Sequence, residues 1–450
     1  MDISELWFCR GDQQLMIVDE RRTNCARATQ GTYNQRLALF ALCLGIFMTM
    51  MDTSIVTVAL PTIRDELGIP ETSLVWVVNA YTLSFACSLL PGGRLGDLFG
   101  HRRMFLIGIT LFTAASLLCG EAATGGILVG ARALQGLGGG VVVAVALSLV
   151  VSMSEGVRER AKAIGVYGAV CASGSAFGLF AGGVLTSTLD WHSIFLINIP
   201  VGCLVIILTR SLAAADEPRV SRSRELVPTH LLRNRGLILS NLICALWAAG
   251  MAAWSFICAL YMQRVLRYTP WEMGLAFLPV NFSMALLSFG LSARLVNRLD
   301  IRSTLGVGTL LGTCGFLWFS RSSIVGVYAL DLLPGMILLG LAAGVMFNPL
   351  TLAATHGVTP AETGFASGML NTASRIGGSI GLASITYLSV ARTQTLIARG
   401  GELSASLSDG YRLSFLLSMA CAVAAMLVSS LVRIRIHRNS PESATEITRA

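Results

Sequence analysis

Charged residues are scarce in this chain. Only 13% of its 450 residues are Asp, Glu, Lys or Arg, whereas 54% are hydrophobic; soluble domains carry roughly 25% charged residues. Apolar runs of about 20 residues, long enough to cross a roughly 30 Å hydrocarbon core as a helix, recur along the sequence. The alternating ten-residue segments typical of a membrane β-barrel are missing. Because a backbone in lipid must satisfy its own hydrogen bonds, the composition predicts an all-α membrane protein.

Arrangements typical of a catalytic or metal site are also missing. The 11 cysteines form no C-x-x-C pair and lie mostly in apolar runs, where a thiol acts as a small apolar filler. The five histidines are scattered, and no phosphate loop or Ser/His/Asp arrangement occurs. The net charge of +8 comes from arginines in short loops rather than from a nucleic-acid-binding patch. We therefore expect no enzyme activity, no cofactor, no metal and no nucleic-acid partner.

Twelve apolar runs predict twelve membrane spans in two halves. The predicted spans are 36–61, 73–92, 104–121, 125–152, 163–187, 194–214, 236–262, 272–293, 304–321, 327–354, 364–391 and 411–433. They divide the chain into a tail (1–35), an N-terminal half (36–214), an Arg-rich linker (215–235), a C-terminal half (236–433) and a second tail (434–450). No cleavable signal peptide is expected, since no short apolar region ending in small residues precedes the first span.

Loop charges and tryptophans predict an orientation. Arginines concentrate in the loops on one side, so the positive-inside rule predicts that both termini are cytoplasmic. Four tryptophans fall at span ends on the opposite side, as in an interfacial aromatic belt: Trp76, Trp191, Trp271 and Trp318. A single lysine, Lys162, against 32 arginines is typical of a GC-rich bacterial genome, so we expect a bacterial inner-membrane protein.

The halves carry related segments. Arg94–Arg102 aligns without gaps, at an offset of 200 residues, with Arg294–Arg302. Both segments follow the second predicted span of their half. Because two six-helix repeats around a central path are a recurrent transporter design, the alignment predicts two six-helix halves around a central cavity.

The loop between predicted spans two and three has the pattern G-x-x-x-D-x-x-G-x-R-R. Its members are Gly93, Asp97, Gly100, Arg102 and Arg103, with a further glycine at Gly96. The glycines permit a sharp reversal and close helix approach. Asp97 can pair with Arg102, with Arg103 or with a neighbouring helix end. An ordinary charged turn is the alternative.

Two charged residues fall at lipid depth. Asp52 lies in span one, and Arg132 lies in span four within the segment R-x-x-Q-G-x-G, whose glutamine is Gln135. An intramembrane charge is costly and usually functional, and apolar surroundings favour a neutral carboxyl group. At 1.5 Å per residue both charges lie roughly 10–14 Å below the outer surface, so they can form an ion pair. Either the pair breaks when Asp52 binds a proton, or Asp52 is a permanent packing partner.

Span five contains a row of glycines. Gly174, Gly178 and Gly182 are four residues apart, and Gly183 follows directly. A helix face without side chains lets another backbone approach closely. The row therefore predicts tight helix packing, or a contact on which the two halves rock.

These motifs resemble those of the major facilitator superfamily. The loop after span two resembles its signature loop. The segment from Arg132 resembles a motif of the same family, and the segment Gly178–Gly183 resembles an antiporter motif in which Leu179 replaces a proline. The stretch around Asp52 resembles drug:proton antiporters, especially the branch that normally has 14 spans, and the segments Trp191–Gly202 and Gly364–Arg375 resemble that branch. The two extra spans that this branch has between its halves are missing here.

The resemblance implies a major facilitator fold and proton-coupled export of drugs or toxic organic metabolites by alternating access. Asp52 and Arg132 would couple proton movement, and the glycine motifs would serve conformational change. An importer or facilitator of a small metabolite is the alternative, because the proline typical of exporters is absent. A polytopic enzyme or sensor is less favoured, since no loop exceeds about 25 residues.

Polar and aromatic residues inside the spans are candidates for lining a substrate cavity, although each of them taken individually fits a packing or interface role better. They are Asn79, Tyr81, Gln135, Tyr167, Trp247, Trp254, Asn281, Asn348, Asn371 and Arg375. The expected partners are the lipid bilayer, a small organic substrate and protons, for a monomer that uses the proton gradient as its energy source.

Overall fold

A computed structural model describes residues 37–152, 157–211, 234–288, 291–321, 327–356, 358 and 363–432. The elements of this part of the chain are helical, which confirms the predicted all-α class. They are α1 (Leu37–Leu67), α2 (Glu71–Phe99), α3 (His101–Gly120), α4 (Gly125–Ser152), α5 (Val157–Thr188), α6 (Ser193–Leu196), α7 (Asn198–Ser211), α8 (Arg235–Arg264), α9 (Pro270–Ala276), α10 (Leu278–Ser288), α11 (Leu291–Phe319), α12 (Leu333–Thr355), α13 (Thr363–Ala398) and α14 (Leu403–Ser429).

These helices make the twelve predicted passes. The short α6 continues into α7, α9 continues into α10, and a π-helical turn at Tyr328–Leu332 leads into α12. Nine of the helical segments within the described ranges are long and apolar enough to cross a membrane. Both predicted tails, and the linker up to residue 233, lie outside the described residues, so the division of the chain stays a prediction.

Several helices extend beyond the predicted spans. α1 ends at Leu67 rather than at 61, and α2 ends at Phe99 rather than at 92. Hydropathy identifies only the apolar part of a helix. The observed ends lie further out because backbone hydrogen bonding continues into the polar residues that follow.

The hydrophobic core is shared between the halves at one end only. We call the end that contains the α1–α2 and α5–α6 loops the predicted outer end. There, one buried cluster joins N-terminal residues such as Ile55 and Trp191 to C-terminal residues such as Trp254 and Phe277. The other buried clusters of the described residues belong either to the N-terminal half or to the C-terminal half. The halves are thus sealed together at the predicted outer end and have separate cores towards the other end.

The two halves have the same unusual turn at corresponding positions. Gly100, between α2 and α3, has φ 90° and ψ 131°. Asp300, which the 200-residue offset aligns with it, has φ 70° and ψ 163° and kinks α11 into two helical pieces. This backbone region favours glycine, so Asp300 is strained where Gly100 is not. The shared turn supports the internal repeat.

Three of the four belt tryptophans are exposed as predicted. Trp76, Trp271 and Trp318 have exposed fractions of 50%, 39% and 37%. The prediction was wrong for Trp191, which is completely buried in the shared core. Its indole nitrogen donates a hydrogen bond of 2.9 Å to a carboxylate oxygen of Glu66, so it ties the α5–α6 loop to the end of α1.

A buried charge network as candidate functional site

The candidate site lies around Arg132, where α4 packs closely against α2 and α3. A Cβ atom added to Gly136 would overlap the carbonyl oxygen of Tyr81 on α2, and one added to Gly138 would lie 2.7 Å from the backbone nitrogen of Phe112 on α3. α4 can therefore approach both helices only because these positions lack side chains. The approach places Arg132, one turn earlier, among α1, α2 and α3.

The ion pair predicted between Asp52 and Arg132 is present. A guanidinium nitrogen of Arg132 lies 2.5 Å from a carboxylate oxygen of Asp52, and the exposed fractions of the two side chains are 1% and 0%. Each charge is thus removed from solvent and compensated by the other. Replacing one partner would leave an isolated buried charge, which is strongly destabilising.

Side-chain amides complete the surroundings of Asp52. The amide nitrogen of Gln135 donates to Asp52 at 2.8 Å, and that of Asn198, at the start of α7, donates at 3.0 Å. Gln135 also accepts a hydrogen bond of 2.6 Å from Arg132 and donates one of 2.8 Å to Ser116 on α3. These contacts to Asp52 are donors, so the network is arranged for the carboxylate form.

Arg132 is held from a second direction by α2. Its Nε donates to the carbonyl oxygen of Val77 at 3.1 Å, and its guanidinium carbon lies 4.2 Å from the ring centroid of Tyr81. The hydroxyl of Tyr81 in turn donates to the backbone oxygen of Thr49 on α1. A proton on Asp52 would remove the charge that holds Arg132, while Val77 and Tyr81 would still position the guanidinium. Loss of the charge on Asp52 would thus weaken its contacts with Arg132, Gln135 and Asn198 together.

The predicted signature loop is helical on both sides of Gly100, since α2 ends at Phe99 and α3 begins at His101. Its side chains make different contacts from those expected first. Asp97 lies 3.3 Å from His101 and 3.8 Å from Arg94, rather than beside Arg102 or Arg103. Arg102 instead donates to the carbonyl oxygens of Thr209 and Arg210 at the end of α7. A cation at a helix carboxyl terminus is favourable. Gly96 packs closely against His101 and Val145, whereas no atom lies within 4 Å of a Cβ added to Gly93.

The glycine row of α5 serves two different contacts. A Cβ atom on Gly174, Gly178 or Gly182 would meet carbonyl oxygens of α1, in the same half. Gly183 faces the other half, because a Cβ there would lie 2.7 Å from the carbonyl oxygen of Pro270. Contact between the halves is therefore made by Gly183, and the other three glycines pack α5 onto α1.

The candidate cavity residues do not form one site. Tyr81 and Gln135 are buried in the charge network, and Trp254 is a core residue between Phe277 and Phe319, so these three side chains do not line an open cavity in this conformation. Asn79 is also buried and donates across the halves to the carbonyl oxygen of Ser379 at 3.0 Å. Of the remaining candidates, Asn371 is exposed. The others are half-buried: Tyr167, Trp247, Asn281, Asn348 and Arg375.

The polar contacts that were not predicted include those of Asn198, Ser116 and Gln263. Asn198 and Ser116 belong to the charge network, and Gln263 on α8 donates to the carbonyl oxygen of Val58 on α1 at 2.9 Å. Asn198 had a signal in the sequence, since it is an amide at lipid depth within the segment Trp191–Gly202. Ser116 and Gln263 had none that separates them from ordinary span residues.

Twelve helical passes in two halves, with a buried ion pair inside one half, define a membrane transporter rather than a soluble protein. The model of the Major Facilitator Superfamily matches residues 42–382. The chain belongs to that superfamily, and it is a multi-pass membrane protein like its bacterial relatives.

Relatives and solved structures extend this assignment. The chain is 32% identical to the cephamycin export protein CmcT of Amycolatopsis lactamdurans, over 90% of this chain and 95% of the relative. It is 33% identical to the puromycin resistance protein pur8 of Streptomyces alboniger, over 89% of this chain and 90% of the relative. The fold is similar to that of a bacterial homologue of the lysosomal transporter Spinster, with a TM-score of 0.73 and 18% identity over 89% of this chain and 97% of that one.

Proposed function

We propose that this protein exports drug-like organic molecules from a bacterial cell in exchange for protons, by alternating access. The observation that carries the proposal is the fully buried pair of Asp52 and Arg132, surrounded by donors from α4 and α7. The relatives named as export and resistance proteins support the export direction and the class of substrate. The proposal places both termini in the cytoplasm, as the loop charges predict.

The described conformation corresponds to one end of the transport cycle. With the predicted outer end sealed by the shared core, substrate would enter between the halves from the cytoplasm. A rocking movement would then break outer contacts, such as Gln263 with Val58 and Gly183 with Pro270, and expose Asp52 to external protons. Protonation would release Arg132 from its counter-ion, and return to the described conformation would deliver the proton inside.

The proton gradient would be the energy source, without a bound cofactor. One charge that crosses 100 mV contributes about 2.3 kcal/mol. Since 1.4 kcal/mol is a factor of ten, this supports a substrate gradient of roughly 40-fold for each proton. A single chain would suffice for transport, because the contacts that must open lie between its own two halves.

Dye efflux from energised cells tests the proposal. The dyes are ethidium, a cation, and fluorescein, a carboxylate, and the cells express wild type, Asp52→Asn or the surface control Asp65→Asn. We expect at least one dye to be extruded by wild type and by the control, and retained by Asp52→Asn and by wild type treated with a protonophore. Normal efflux by a well-expressed Asp52→Asn variant would refute the coupling role. Dye uptake instead of efflux would refute export and favour the importer.

A further inference from the structure

Arg375 on α13 points from the C-terminal half into the N-terminal half. Its guanidinium lies 4.0 Å from the sulfur of Met50 on α1 and 4.7 Å from the ring centroid of Phe85 on α2. Two helices of one half thus contact a cation supplied by the other half. This side chain lies between the halves, where a substrate must pass.

Arg375 has no carboxylate partner among the described residues. The carboxylate of Asp52 is taken by Arg132, Gln135 and Asn198. The contacts of Arg375 are a thioether sulfur and an aromatic face, which satisfy few of the five donors of a guanidinium. Most of its donors are therefore available to bind a ligand. A half-buried arginine at lipid depth is energetically costly, and such residues are usually functional.

The charges that face the space between the halves indicate whether the ligand is an anion or a cation. The Asp52–Arg132 pair is neutral as a unit, so Arg375 leaves the space between the halves positive. A positive, partly desolvated space attracts anions and repels cations. The planar guanidinium matches a carboxylate with two parallel hydrogen bonds.

We propose that Arg375 is the anion-binding group of the substrate site, and that the preferred substrates are amphipathic organic molecules with a carboxylate. The inference rests on the proposed function only in placing the substrate between the halves. Binding at Arg375 needs no proton gradient, so the two proposals can fail separately.

The test uses a matched pair of probes, dansylglycine and its primary amide, with purified full-length protein in lipid nanodiscs. The probes differ in the carboxylate alone, and saturable dansyl fluorescence measures their affinities. We expect the acid to bind wild type about 10- to 100-fold more tightly than the amide, the value of a charge-assisted pair of hydrogen bonds. Arg375→Gln should reduce this ratio to about one, and Arg375→Lys should keep part of it.

A control variant tests whether the effect is specific to Arg375. Arg392→Gln removes a more exposed arginine from the same helix, one that pairs with Asp409, and should leave the ratio unchanged. Equal affinity of wild type for the two probes, or absence of saturable binding of the acid, would overturn the assignment. So would a preserved ratio in folded Arg375→Gln protein.

Discussion

Neutralising the Asp52–Arg132 pair in two steps separates its contribution to stability from its role in coupling. In the single variant Asp52→Asn the Arg132 guanidinium keeps its charge, its 1% exposure and the carbonyl oxygen of Val77, but loses its counter-ion. Breaking a buried pair in this way costs about 3–5 kcal/mol. We expect a lower melting temperature and reduced expression for Asp52→Asn.

The double variant Asp52→Asn/Arg132→Gln removes both charges and keeps hydrogen-bonding groups at both positions. Replacement of a buried ion pair by neutral groups is often close to neutral in stability. We therefore expect the double variant to recover most of the lost stability, to within about 1–2 kcal/mol of wild type. Proton-driven efflux should stay absent, because no titrating carboxyl group remains at position 52.

Thermal unfolding in detergent and efflux from proteoliposomes with an imposed pH gradient measure the two properties on the same preparations. Recovery of both stability and coupled efflux in the double variant would refute the reasoning, since transport would then not need the carboxyl group. If the single variant were as stable as wild type, Asp52 and Arg132 would not form a buried pair of opposite charges, and the assumed loss of stability would be wrong.

Three further predictions concern packing and strain. Gly178→Val should abolish folded protein, measured by monodisperse yield, because a side chain would overlap the carbonyl oxygen of Met51; Gly93→Ala, which meets open space, should behave as wild type. Asp300→Gly should raise the melting temperature by relieving a strained backbone worth about 1–3 kcal/mol, and an unchanged value would contradict the strain at φ 70°. Asn198→Ala should lower stability by about 1.5–3 kcal/mol through loss of a buried hydrogen bond to a charged group, and a chemical denaturation curve matching that of wild type would exclude it.

Much of the architecture follows from the sequence alone. The low charge content and the length of the apolar runs determine that the chain is a bundle of membrane helices, because lipid offers the backbone no other partners. The alignment of the segments that begin at Arg94 and Arg294 indicated that the two halves are structural repeats of each other. Asp52 and Arg132 could be selected as functional residues since each is a charge at lipid depth, where random polar residues are rare.

Only the tertiary structure decided which of these residues meet. Asn198 joins Asp52 because α7 packs beside α1 and α3, and residues 146 positions apart have no sequence pattern that shows contact. The glycine row of α5 was ambiguous for a similar reason, because a helix face without side chains can pack against any neighbouring backbone. In the structure three of these glycines pack against α1, and one packs against the other half. The burial of Trp191 was not predicted, because hydropathy does not distinguish a ring that faces lipid from one that faces protein. Position along the chain determines depth in the membrane, whereas the direction of a side chain depends on which helices surround it.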